Sequence, residues 1–303
     1  MIRRLAEEIA AAKVNLSLSV GPQQANGRHP LDSLVVFVDV GERVILEHLA
    51  ANPHGVSCAV WATGQFAGSL TEFLSNGGEA SVEAALWAYL DEAGLSGLET
   101  GVQLVKEIPL AAGLGGGSAD AAAMLRLLHR LLEQPSAAWE AALAAATRVG
   151  ADVPACLLSR PVIMRGEGER LLPSPPLPPM ALVLVNPGVA CPTGSVYRSF
   201  DALGLGGGFA ERDLAAPADF DALVGELSRR PNDLEPAAIA VQPVIRHALS
   251  LVAGAPWVEL ARLSGSGATV FGLCRTLGDA QAAADDILTQ EPGWWVRAAA
   301  VMA

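Results

Sequence analysis

Between Lys13 and Val20 the apolar residues Val14, Leu16, Leu18 and Val20 alternate with polar ones, the period of two that sets one face of a strand against a core. Leu34 to Val40 predicts a second strand. The period lengthens from Glu79 to Glu92, where apolar side chains recur at helical intervals and an amphipathic helix is expected. Gly101 to Lys106 reads as a strand, and Ser118 to Leu132 as an alanine- and leucine-rich helix that stops before Gln134-Pro135. Further strands are predicted at Val162 to Arg165 and Ala181 to Asn186, on either side of the proline-rich stretch Leu172 to Pro179, which is extended and stiff. The pattern changes near 158 to 162, so the chain is expected to divide into domains 1–160 and 161–303 of an α+β protein. Gly204 to Gly208 reads as a mobile loop.

The segment joining the third predicted strand to the second helix carries the strongest chemical signal. It runs Pro109-Leu110-Ala111-Ala112-Gly113-Leu114-Gly115-Gly116-Gly117-Ser118. Four glycines in five residues omit Cβ atoms and allow positive φ, so backbone N–H groups can converge on a ligand at the positive end of the following helix. That is a phosphate cradle. No Lys-Ser/Thr pair closes it as a Walker A loop, and no GxGxxG spacing makes it a dinucleotide fingerprint. Taken alone, the run also suits a flexible turn.

Other segments bear on that choice. Ala12-Lys13-Val14-Asn15-Leu16, the glycine loop, and Leu263-Ser264-Gly265-Ser266-Gly267-Ala268-Thr269 resemble, in content and order, the three motifs of the GHMP kinase superfamily. Gly150-Ala151-Asp152-Val153-Pro154, Gly166 to Glu169, Asn186-Pro187-Gly188 and Asn232-Asp233-Leu234-Glu235 lie between them in the family's order. The resemblance spans roughly residues 10 to 275. It implies a two-domain fold, with an N-terminal domain like ribosomal protein S5 and a C-terminal α/β sandwich. It also implies phosphoryl transfer from ATP, with Mg²⁺, to a small molecule. Within the superfamily the blocks look like the branch whose acceptor is the 2-hydroxyl of a cytidine-diphosphate-linked methylerythritol, on the non-mevalonate route to isoprenoid precursors.

Residue by residue, the resemblance implies Asp152 as the base that accepts the hydroxyl proton and Lys13 as its cationic neighbour. On local sequence Asp152 equally suits a helix N-cap, and Lys13 a solvated surface lysine. Pro109, Leu110, Ala111, Ala112, Gly113, Leu114, Gly115, Gly116, Gly117 and Ser118 would hold the ATP phosphates. Asp120 is read as a first-turn charge favoured by the helix dipole. Asn15, His29, Thr193, Tyr197, Gly265 and Ser266 would contact the acceptor beside Asp152, Tyr197 also suiting a helix residue that simply packs. No side chain is assigned to a metal. Two positions depart from the family. Gly27-Arg28-His29-Pro30-Leu31 has Arg28 where the family carries a tyrosine, so a guanidinium would have to stack on the base. Ala80-Ser81-Val82 replaces an Asn-Leu on the adenine side.

Composition narrows the partners. A net charge of −12 over 303 residues disfavours a nucleic-acid or anionic-membrane surface, so any phosphate site must be a local pocket in an acidic exterior. Neither a signal-peptide core nor an apolar run of about 18 residues occurs, which predicts a soluble, cytoplasmic protein. A monomer or weak homodimer is expected, though no sequence feature sets the oligomeric state. Cys58, Cys156, Cys191 and Cys274 stand singly and read as reduced thiols without metal or catalytic roles.

Overall fold

The computed structural model describes residues 5–52, 54–132 and 137–303. Its elements are β1 (Ala6–Asn15), β2 (Ser19–Val20), β3 (Leu31–Ala51), β4 (Ser57–Thr63), α1 (Ala67–Ser75), α2 (Ser81–Glu92), β5 (Leu98–Val105), α3 (Gly116–Leu131), α4 (Ala137–Val149) and α5 (Val153–Leu158). These are followed by β6 (Val162–Gly166), β7 (Arg170–Pro173), β8 (Ala181–Asn186), α6 (Thr193–Ala202), α7 (Phe220–Ser228), α8 (Glu235–Val241), α9 (Val244–Gly254), β9 (Leu260–Leu263), β10 (Val270–Cys274), α10 (Leu277–Gln290) and β11 (Trp295–Ala300). The expected helix stop at Gln134-Pro135 lies outside the described residues.

Two compact units share the chain, each discontinuous in sequence. One comprises Met1–Ala12, Gly41–Leu110 and Gly115–Leu158, the other Lys13–Val40, Ala111–Leu114 and Ser159–Ala303. In the first unit the C-terminal half of β3 pairs antiparallel with β5, and β5 pairs parallel with β4. Helices α2, α4 and α5 pack around α3. Val82, Ala85, Leu86 and Tyr89 recur at helical spacing on α2 and are all buried, as are Ala119, Ala122 and Leu125 on α3. Each fully buried leucine stabilises this layer by roughly 1.5–3 kcal/mol. Arg126 on α3 ties three segments together. Its Nε donates to Glu8 at 3.0 Å, one terminal nitrogen to the Ile9 carbonyl at 2.8 Å, and the other to the Cys156 carbonyl at 2.8 Å. The short helix α5 is thereby pinned to α3, and with it the turn that carries Asp152.

In the second unit the N-terminal half of β3 pairs with β2 and β6, and β6 with β7, all antiparallel. A separate antiparallel sheet has the order β11-β8-β10-β9. Every residue of β8 is buried, and Ala181 to Val185 is a continuous apolar run, not an alternation. Val183, Val185, Phe200, Ile245, Val252, Leu263, Val270 and Ile287 form the core between this sheet and its helices.

Several expected elements shift. The strand expected from Lys13 begins at Ala6 and ends at Asn15, after which Ser19 and Val20 form a short strand of their own. The strand expected from Leu34 to Val40 runs instead from Leu31 to Ala51, because Leu34–Val38 is buried on both faces and the polar Asp39 and Glu42 mask its continuation. The turn at Gly206 packs against Gly21 and Phe200 and is therefore less free than its glycines suggest. The four cysteines are free, and burial pushes the Cys58 and Cys274 thiols up to about 12, so neither carries appreciable thiolate at neutral pH.

Candidate active site

The glycine loop takes its shape from backbone angles that side chains resist. Ala111 (φ 52°), Gly113 (φ 75°) and Gly115 (φ 66°) all lie in the left-handed region, and α3 starts at Gly116. Gly115 is the N-cap and has no side chain to accept the first-turn N–H groups, which leaves the Gly116, Gly117 and Ser118 donors for an external acceptor. Ala111 is the exception to the chemistry, an alanine where the backbone favours glycine. Left-handed geometry costs alanine about 1–2 kcal/mol, and glycine returns about 0.4–1 kcal/mol of that through a freer unfolded chain. Ala111→Gly should accordingly raise the unfolding midpoint by about 1–3 °C in a thermal melt; a lower midpoint would show that the loop is not strained there.

Within the second unit, residues 111–114 lie against two of the other motifs. The Lys13 N–H donates to the Leu114 carbonyl at 2.9 Å, and the Thr269 N–H to the Ala112 carbonyl at 3.0 Å. Ser264 Oγ donates to the Gly113 carbonyl at 2.9 Å and receives the Asn15 N–H at 3.3 Å. Gly113 has no room for a side chain, since a Cβ would fall on the Ser264 carbonyl oxygen and within 2.8 Å of Gly267 N. Asn232 holds the facing turn by donating Nδ2 to the Leu263 carbonyl at 2.9 Å and the Gly265 carbonyl at 2.8 Å.

Lys13 is 4% exposed, so the solvated reading of this lysine does not hold. Asn15 is also buried and donates Nδ2 to Ser33 at 2.8 Å, while its Oδ1 has no hydrogen-bond partner. A buried acceptor without a donor costs about 1–3 kcal/mol, which a ligand hydroxyl would recover. Thr193 Oγ1 and Ser266 Oγ are hydrogen-bonded at 2.9 Å. Tyr197 follows Thr193 by one turn of α6, and its ring lies 4.9 Å from that of His29, which is fixed by a 2.9 Å contact between Nδ1 and the Gly21 carbonyl. Arg28 is placed differently. Its guanidinium pairs with Glu167 at 2.7 Å and its side chain is 69% exposed, so stacking on a base requires release of an exposed ion pair worth roughly 0–1 kcal/mol.

In the first unit Asp152 occupies the turn before α5, where its carbonyl accepts the Cys156 N–H at 3.0 Å and begins the helix. The cap geometry is therefore present, and it leaves a carboxylate half-buried at a fixed point. Asp120 falls in the second turn of α3 and not the first; it is buried and receives Lys106 Nζ at 2.7 Å, with Glu42 as the other partner of Lys106. The sequence carries no local signal for this cluster, because its members are 64 and 14 residues apart. Ala80 has no side-chain oxygen to cap α2, and only the Glu83 carboxylate reaches back, to the Ala80 N–H at 3.3 Å.

The sequence matches the family profile of the GHMP kinases N terminal domain over residues 80–160 and of the GHMP kinases C terminal domain over 213–291. A 4-diphosphocytidyl-2-C-methyl-D-erythritol kinase from Hyphomonas neptunium is 44% identical over 297 residues, covering 95% of this chain and 94% of that one. The chain is a GHMP kinase of that family. A kinase of the same name from Paracoccus denitrificans is 41% identical over 96% of this chain and 95% of its own. Among solved structures, a 4-(cytidine 5'-diphospho)-2C-methyl-D-erythritol kinase superposes with a TM-score of 0.74 at 30% identity, covering 98% of this chain and 100% of the other. Homoserine kinase from Cytophaga hutchinsonii, at 18% identity and a TM-score of 0.66, shares the fold of this GHMP kinase over 98% of its chain and 94% of the other.

Proposed function

We infer that this GHMP kinase transfers the γ-phosphoryl group of ATP to the 2-hydroxyl of 4-diphosphocytidyl-2-C-methyl-D-erythritol, on the non-mevalonate route to isoprenoid precursors. The observation that carries the reading is the joining of Lys13–Asn15, Ala111–Leu114 and Ser264–Ser266 in a chain whose relatives bear that name along nearly their whole length. Phosphoryl transfer asks a protein for positioning and charge stabilisation, and for an acceptor of the hydroxyl proton. The unsatisfied N–H groups of Gly116, Gly117 and Ser118 suit the nucleotide phosphates, with Pro109 to Gly115 shaping the approach.

Asp152 takes the proton of the 2-hydroxyl as its oxygen bonds to the γ-phosphorus, and the bond from that phosphorus to the β-bridging oxygen breaks to release ADP. Lys13 offsets negative charge on the transferred group. The orphaned Asn15 Oδ1 suits a donor hydroxyl of the acceptor, with Thr193, Gly265 and Ser266 beside it. The ring pair of His29 and Tyr197 suits the cytosine, one supplying an edge and the other a face, and Arg28 stands in reserve on Glu167. Mg²⁺, which phosphoryl transfer from ATP calls for, would enter with the nucleotide as part of the substrate. The same proposal includes domains 1–160 and 161–303 and a cytoplasmic enzyme that is a monomer or weak homodimer. No helix among the described residues is long and apolar enough to cross a membrane.

A coupled ADP-release assay with MgATP tests the acceptor. Turnover is expected with the cytidylylated methylerythritol and not with homoserine or mevalonate. Comparable rates on either of those two would overturn the assignment.

A further inference from the structure

Three buried charged groups of the first unit lie beneath the start of α3 and take no part in the chemistry above. Lys106 Nζ stands between the carboxylates of Glu42 and Asp120, and none of the three side chains is more than 6% exposed. The cluster has one ammonium for two carboxyls, an imbalance of one charge in a site shielded from water. Asp120 Oδ1 is buried with no hydrogen-bond partner. Both carboxyls take the same ammonium, Lys106 Nζ, which brings Glu42 and Asp120 side by side, and Glu42 Oε1 also accepts the Ile108 N–H at 3.4 Å. A Cβ on Gly116, the first residue of α3, would lie 3.4 Å from Glu42 Oε2, so any charge on that carboxyl sits directly under the first turn.

We propose that Glu42 is a positioning residue for the nucleotide: its carboxyl keeps a proton that it donates to Asp120 Oδ1, so the cluster under α3 is neutral and the helix N-terminus stays open to phosphate. The proposal rests on the glycine loop binding ATP. One proton satisfies the orphaned oxygen and balances the charge together. Burial, reinforced by Asp120, pushes the Glu42 carboxyl well above the usual carboxylate range despite Lys106 beside it. Burial would lower the Lys106 ammonium, but the Asp120 carboxylate beside it and the hydrogen bonds to both carboxyls raise it, so it stays charged. The groups facing Glu42 are Lys106 from the segment after β5 and Asp120 from α3; Arg43 on its own strand pairs with Glu7, and Glu83 of α2 bonds to its own N-terminus.

When pH rises through the Glu42 value the cluster becomes negative beneath the phosphate donors, and ATP should bind less well. The folded chain also holds this proton more tightly than the unfolded one, so its contribution to stability is fully present below the unfolded glutamate value, declines above it, and is gone once the pH has passed the folded value. Glu42→Gln and Asp120→Asn each leave one ammonium and one carboxylate and remove the titration by different routes. The test is the ATP dissociation constant of the full chain, by calorimetry, followed as the pH is raised from neutral. The wild type should weaken about five- to tenfold, the effect of one added charge close to a bound phosphate in a partly shielded site, while both variants stay flat. Equal weakening in wild type and variants, or a flat wild-type profile, would overturn the proposal; absence of ATP binding at every pH would instead overturn the phosphate-loop reading on which it rests.

Discussion

Asp152→Asn should lower kcat by about 10²-fold or more while ATP affinity stays within a few-fold. Asparagine keeps the size of the side chain and an oxygen, but an amide cannot accept the proton of the attacking hydroxyl, and loss of a general base typically costs 10²- to 10⁴-fold. The backbone carbonyl that starts α5 is retained, and Arg126 still pins the end of that helix, so the variant should fold. Steady-state kinetics with separate titration of ATP and acceptor provide the check. A kcat within a few-fold of wild type would place the base elsewhere.

The second large effect is expected at Gly113. A Cβ there must be carried at φ 75° and would fall on backbone atoms of Ser264 and Gly267, which cannot swing aside as the tip of a long side chain can. The left-handed penalty of about 1–2 kcal/mol and an overpacking cost of about 1–3 kcal/mol together predict that Gly113→Ala loses roughly 2–5 kcal/mol of stability, with the loop displaced and activity largely gone. Gly116→Ala supplies the contrast. That residue is helical and its Cβ would meet only Glu42 Oε2 at 3.4 Å, so the fold should survive, while ATP binding weakens if phosphate approaches this Cα. Denaturant melts and ATP titrations of the two variants separate the cases. Equal stability of Gly113→Ala and wild type would mean that the loop does not rest on the 264–267 turn.

These expectations mix what the chain announces with what it hides. The glycine run was legible because glycine density and the strand and helix on either side are local signals, and β8 was legible because a short apolar run between breakers leaves little choice. The length of β3 was not, since Asp39 and Glu42 interrupt its apolar pattern while backbone pairing with β5 continues through Ala51. Lys13 and Asn15 were visible as polar residues in an apolar strand, but the orphaned Oδ1 of Asn15 exists only once Ser33 and Ser264 are packed around it. Arg28 shows the reverse. Its departure from the family pattern stands out in the sequence, yet Glu167, 139 residues away, takes the guanidinium. The Glu42–Lys106–Asp120 cluster brings together β3, the segment after β5 and α3, and has no periodicity to betray it.

The position of the new phosphate tests the central claim most directly. The product formed from MgATP and 4-diphosphocytidyl-2-C-methyl-D-erythritol, isolated and examined by phosphorus NMR with proton and carbon correlation, should carry one new monophosphate ester on the 2-hydroxyl oxygen with the diphosphate intact. A phosphate on any other hydroxyl, an extended phosphate chain, or unreacted acceptor in the presence of active-site-competent, ATP-bound protein would contradict it.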